Sequence, residues 1–197
     1  MRPRLFDSDA VLDQVFEQFW RRGVRATSIS DLARETGLQR GSLYNAFGSK
    51  EQLFLAAYER YADKYLASVD HAMQGPSLRE QLEGYCRVSI ANFCEGRPAR
   101  SCPTTRGLME SVEENSEGLG ADARKVLSKL IRRVIKRVEL AFLRGAERGE
   151  FDGDPAMAAA HLVAVVRGLV VLERSGLRES QLTAIANQAI DSILADR

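Results

Sequence analysis

Apolar residues recur along this chain at helical spacing, and no stretch alternates as a half-buried strand does. Val11, Leu12, Val15, Phe16 and Phe19 mark one face of a first helix over about residues 8–22, which stops at Gly23. Ser28 with Asp31 three residues on reads as a capping box opening a second short helix that ends before Gly37, and a third covers about 39–47. Ser49 with Gln52 repeats the signal at the start of a long helix to about residue 73, whose core stripe is Leu53, Ala57, Tyr61 and Tyr65. Past the break at Gly75-Pro76-Ser77, helices are predicted over about 77–95, 104–115, 121–148, 155–174 and 180–195. The pattern predicts an all-α protein of about nine helices, with a three-helix helix-turn-helix domain over residues 1–50 and a larger helical bundle over 51–197.

Composition narrows the function classes. With 197 residues, 45% hydrophobic and 28% charged, the chain is an ordinary globular protein, and a net charge of +1 denies it a global basic field. Residues 1–50 carry eight Lys and Arg against six Asp and Glu, so a grip on nucleic acid has to come from a few placed groups. The longest apolar run, 156–172, is interrupted by His161 and Arg167 and reads as too short for a membrane span. The start Met-Arg-Pro-Arg-Leu-Phe-Asp has no apolar core long enough for a secretory signal. Three cysteines without Cys-x-x-Cys spacing fit neither a disulfide framework nor, with His71 or His161, a metal site. These features predict a cytoplasmic protein with reduced thiols and no cofactor. No phosphate loop, nucleophile elbow or His-Glu metal helix occurs, so the chain is read as a non-enzyme.

Residues 27–50 carry the most information. They form two short helices hinged at Gly37, the arrangement that lays a second helix in a DNA groove. On that second helix Gly41 lets backbone approach a phosphate, Ser42 and Asn45 are short enough to reach base edges, Arg40 can fork onto guanine or grip phosphate, and Tyr44 can donate its hydroxyl to phosphate. Lys50 sits in a first helical turn, where the macrodipole disfavours a cation and a phosphate partner would account for it. The bland alternative is a helical corner in an all-α core.

The order Gly23-Val24-x-x-Thr27-Ser28-Ile29-x-Asp31-Leu32-Ala33-x-x-Thr36-Gly37-Leu38-x-x-Gly41-Ser42-Leu43-Tyr44-x-x-Phe47-x-Ser49-Lys50-Glu51-x-Leu53 resembles the tetracycline-repressor family of bacterial transcriptional regulators, over about residues 8–58. The resemblance implies a homodimer whose two reading heads fit successive major grooves of a double-stranded operator, about 34–36 Å apart. It places Thr27, Ser28, Tyr44 and Lys50 at phosphate-contacting positions and Arg40, Gly41, Ser42 and Asn45 at the groove face. It also implies a repressor released by a signal in residues 51–197. A helical protein-interaction adaptor without DNA binding is the alternative, and it gives no reason for Gly41, Tyr44 and Lys50 in that register.

Self-association is assigned to about 156–174 and 180–195. The first of these is apolar almost all round, with Ala158, Ala159, Ala160, Ala164 and Gly168 small enough for close helix approach; a central core helix in a monomer is the alternative. The effector is an unknown small molecule or electrophile. Cys102 lies between Arg100 and Arg106, with Arg97 nearby, ahead of a helix N-terminus, and both features favour thiolate. Some branches of the family carry Gly-Cys-apolar at this helix start, with the cysteine sensing electrophiles or oxidants; here the element is Ser101-Cys102-Pro103. An unreactive structural thiol is the competing reading. Phe93, Met109 and His161, with Tyr65, Val112 and Phe142, are candidate pocket residues that could equally be plain core.

Overall fold

A computed structural model describes residues 7–96, 101–110 and 119–195. The described residues hold nine α-helices and no strand: α1 Ser8–Arg22, α2 Ile29–Thr36, α3 Arg40–Phe47, α4 Lys50–Ala72, α5 Leu78–Cys94, α6 Pro103–Glu110, α7 Ala121–Glu147, α8 Pro155–Arg174 and α9 Glu179–Ala195. The all-α expectation and the helix order hold. The expected extension of α6 to about residue 115, and Val112 with it, lie outside the described residues, as do Arg97 and Arg100.

Local chemistry sets the helix ends. Asp7 caps α1, its carboxylate accepting from the Asp9 and Ala10 N–H groups. The Ser28 hydroxyl accepts from Asp31 N–H while the Asp31 carboxylate accepts from Ser28 N–H, which completes the capping box of α2. Gly37 ends α2 in the left-handed region at φ 68°, a conformation that lets α3 leave at an angle. Ser77 and Glu80 form the same box on α5, and Asp154 with Pro155 at the first turn opens α8.

The chain divides into two compact units, Met1–Lys64 with Pro103–Ser128 and Tyr65–Cys102 with Lys129–Arg197. In the first, α1 packs on α2 and α2 on α3. Phe16, Phe19 and Trp20 of α1 meet Phe54, Tyr58 and Tyr61 of α4, with Phe16 stacked on Tyr61 at 4.4 Å between ring centres. The Tyr58 hydroxyl is satisfied by Thr104 of α6 at 2.8 Å, so α6 closes over this aromatic layer.

In the second unit α5, α8 and α9 pack on one another. Buried Leu130, Val134, Val138 and Phe142 of α7 complete the core, and Phe142 meets Phe151 at 4.8 Å between ring centres. At 20 residues, α8 is long and apolar enough to cross a membrane by length and composition, which corrects the reading of a run too short to span. Its Leu162, Val163, Val166, Leu169 and Val170 are buried in the bundle. Ala158 and Ala159 also turn inward; of the small residues assigned to a helix seam, Ala164 and Gly168 are exposed.

Candidate nucleic-acid interface and thiol site

The α2–α3 pair buries Ile29, Leu32 and Leu43. Those side chains fix the angle between the helices, and they leave Arg40, Gly41, Tyr44 and Asn45 exposed on one contiguous face of α3, with Ser42 half-buried at its margin. Tyr44 is 46% exposed, a large aromatic that nothing in the fold covers. A Cβ built at Gly41 meets no atom within 4 Å. The fold therefore has no use for a glycine there, although glycine in a helix costs roughly 0.5–1 kcal/mol relative to alanine. A partner that approaches the backbone closely would account for it.

The flanking residues have roles inside the head. Thr27 is fully buried, and its hydroxyl donates to the Gly23 carbonyl at 2.7 Å. Ser28 is exposed but serves as the α2 cap, donating to Asp31 at 2.6 Å. Those Ser28 hydrogen bonds, with Arg34 beside it, hold the Asp31 carboxyl down at about 2. Lys50 opens α4 and donates from Nζ to the Val24 carbonyl at 3.1 Å. That contact meets the objection to a cation in a first turn without a phosphate.

The thiol site lies in the second unit. Cys102 is buried, and the Arg167 guanidinium of α8 donates to its sulfur at 2.9 Å. A cation at that range stabilises thiolate, the reactive form. Ser101 adopts φ 67°, a left-handed conformation, and its N–H donates to the Phe93 carbonyl at 3.1 Å. The backbone shape that a glycine would take without strain is thus kept by a serine, and Phe93 is brought next to Cys102. Around Arg167 stand two buried tyrosines. Tyr65, bonded to Ser89 at 2.8 Å, is pushed up by burial, and so is Tyr85, each opposed by the Arg167 charge. Burial pushes the other two thiols up, Cys86 to about 12 and Cys94 to about 11. None of the three is in a disulfide.

The remaining sensor candidates are not gathered there. Met109 belongs to the first unit and is 72% exposed, because α6 buries Pro103, Thr104 and Gly107 and turns position 109 outward. His161 is exposed on α8 and lines a hollow of about 370 Å³ with Phe151, Met157, Ala158, Ser192 and Ile193. Sequence reasoning missed Arg167 as the partner of Cys102. Its signal was available, since an arginine in the middle of a long apolar run has to find a polar partner when that face of the helix is buried.

Comparison with known proteins places these features in a family. The family model "Bacterial regulatory proteins, tetR family" matches residues 11–57. The HTH-type transcriptional repressor ComR of Escherichia coli K12 is 30% identical over 196 residues, covering 96% of this chain and 90% of that protein. The HTH-type transcriptional repressor NemR of the same strain is 26% identical over 152 residues, 75% of this chain and 74% of NemR. Among solved structures, a cysteine mutant of the TetR-family regulator CifR complexed with 26-base-pair operator DNA superposes with a TM-score of 0.84 at 27% identity, covering 98% of this chain and all of that one.

Proposed function

This chain belongs to the tetR family of bacterial regulatory proteins, and we propose from that membership that it is a homodimeric transcriptional repressor which leaves its operator when Cys102 is modified by an electrophile or oxidant. It regulates transcription by binding double-stranded DNA through its helix-turn-helix, with residues 1–50 as the reading head and 51–197 as the sensing and dimerisation part. Arg40, Gly41, Ser42 and Asn45 face the groove, and Ser28, Tyr44 and Lys50 hold the flanking phosphates, while buried Thr27 supports them by fixing the turn before α2. The protein acts as a regulator and not as an enzyme, in the cytoplasm beside the DNA it reads.

The observation that carries the DNA reading is the open face of α3, where Gly41 has no neighbour and Tyr44 no cover. The observation that carries the signal is the Arg167 guanidinium on the Cys102 sulfur, whereas burial holds the other two thiols protonated. Dimerisation is assigned to the exposed side of α8, where Met157, Ala164, Gly168 and Val171 recur at helical spacing, with Ile185 of α9.

The test is a duplex library selected with the purified protein, followed by gel-shift titration with and without N-ethylmaleimide. Enrichment of a two-fold symmetric site, released on alkylation, is expected. Failure to enrich any duplex sinks the DNA reading; release that survives Cys102→Ser removes that thiol from the mechanism.

A further inference from the structure

The turn between α1 and α2 is made by Gly23 and Val24, and all four backbone polar groups of these residues are engaged. Gly23 N–H donates to Phe19 O at 2.8 Å, and Gly23 O accepts from Thr27 at 2.7 Å. Val24 N–H donates to the Glu110 carboxylate at 3.1 Å, and Val24 O accepts from Lys50 at 3.1 Å. One partner is thus on α6 and one on α4. Beside Glu110, Arg106 lays its guanidinium on the last carbonyls of α1, reaching Trp20 and Arg21 at 3.3 Å and Arg22 at 2.7 Å. Its Nε donates to Glu110 Oε1 at 3.1 Å.

Those carbonyls have no partner within their own helix, and they carry the negative end of its dipole. A forked cation more than eighty residues along the chain satisfies them together. Gly23 makes the approach possible. A Cβ there would lie 2.5 Å from both Arg106 Nη2 and Glu110 Oε1, and its φ of 87° disfavours other residues. Arg106 and Glu110 neutralise each other, so the fork can sit beside Arg21 and Arg22 without net repulsion.

We infer that Arg106 and Glu110 form a clamp through which α6 sets operator affinity, holding the Gly23–Val24 turn where α2 and α3 can read DNA. α2 starts five residues after Val24 and packs on α3, so displacement of the turn displaces the reading face. Hydrogen bonds of 2.7–3.3 Å are lost once partners separate beyond about 3.6 Å, so a shift of α6 by less than 1 Å opens the fork. Arg106 and Glu110 are positioning residues that touch no DNA. α6 begins at the residue after Cys102, so the clamp supplies a route for the thiol signal. That last link rests on the Cys102 signal proposed above, whereas the clamp itself rests only on the DNA reading by α2 and α3.

The test uses the full-length dimer and a duplex selected by the wild-type protein. Arg106→Met keeps the apolar stem without the fork, and Glu110→Gln keeps the shape without the charge. Each is expected to lose about tenfold or more in operator affinity, within the usual range of coupling between sites, with unchanged helicity and dimer content. Hydrogen exchange at the Val24 amide is expected to speed up at least several-fold in Glu110→Gln. Wild-type affinity in both variants, with only a lowered Tm, makes the clamp a mere stabiliser and overturns the inference. Unchanged Val24 exchange also overturns it, even if the wild type selects no duplex and the DNA reading fails separately. If Arg106→Met loses helicity, Glu110→Gln decides alone. Maleimide that leaves Val24 exchange unaltered, while both variants weaken binding, supports the clamp and overturns only the Cys102 trigger.

Discussion

The Arg167 guanidinium donates to the Cys102 sulfur at 2.9 Å, linking α8 to the residue that precedes α6. Reactivity should therefore concentrate on one thiol of three. At pH 7.5 a limiting amount of N-ethylmaleimide is expected to give a single adduct on Cys102, since burial lifts Cys86 to about 12 and Cys94 to about 11 and leaves little thiolate on either. Arg167→Leu should slow that adduct several-fold or more, because it removes the cation that favours thiolate. Peptide mass spectrometry reads both; adducts spread equally over the three cysteines would refute the assignment.

Gly41→Ala separates fold from function. Helix propensity favours alanine by about 0.5–1 kcal/mol, and the added methyl meets nothing in the head, so thermal unfolding should shift upward or stay level. On the groove face proposed for α3 the methyl would stand against the DNA backbone, so operator binding should fall. A variant that binds as well as the wild type would show that nothing comes close to this position.

Arg40→Ala tests the electrostatic grip. If Arg40 meets a phosphate, the slope of log affinity against log salt should fall by about one per reading head, while preference among duplexes stays put. If it forks onto guanine instead, specificity relaxes by about 1–3 kcal/mol at one base pair. An unaltered slope together with unaltered preference removes it from the interface.

The exposed side of α8 makes a prediction about assembly. Gly168 and Val171 lie one turn apart on it, with no neighbour within 4 Å of a Cβ at 168 and Val171 66% exposed. Val171→Glu is expected to shift sedimentation toward monomer with helicity retained, and operator affinity should drop at least a hundredfold as paired heads become single ones. A variant that stays dimeric places the seam elsewhere.

Acid should act on the reading head through Asp31. Its carboxyl is held at about 2, below its ordinary 3.8, by Ser28 hydrogen bonds and then Arg34. A depressed carboxyl stabilises the folded form above the ordinary value and loses that contribution as pH falls through about 2. Asp31→Asn is thus expected to unfold more easily than wild type at pH 7, with the difference shrinking between pH 4 and pH 2. A difference constant over that range would mean that charge at Asp31 contributes nothing.

Much of this was open to reading in the order of residues alone, because the determinants are local. Ser28 with Asp31, Ser77 with Glu80 and Asp154 with Pro155 mark helix starts by bonds that reach three residues or fewer. The period of the apolar positions delimits the helices between them. The run from Gly23 to Leu53 identified the reading head, since its spacing reflects one short chain segment folded against itself. What only the tertiary structure decided is where distant side chains meet. Arg167 reaches Cys102 across 65 residues, Glu110 reaches Val24 across 86, and neither pairing leaves a periodic trace. Burial phase was likewise beyond sequence at α6, whose eight described residues make too few turns for a pattern to place Met109 outside. Bonds between neighbours are written in the sequence one after another, whereas bonds between helices depend on how every core residue packs at once.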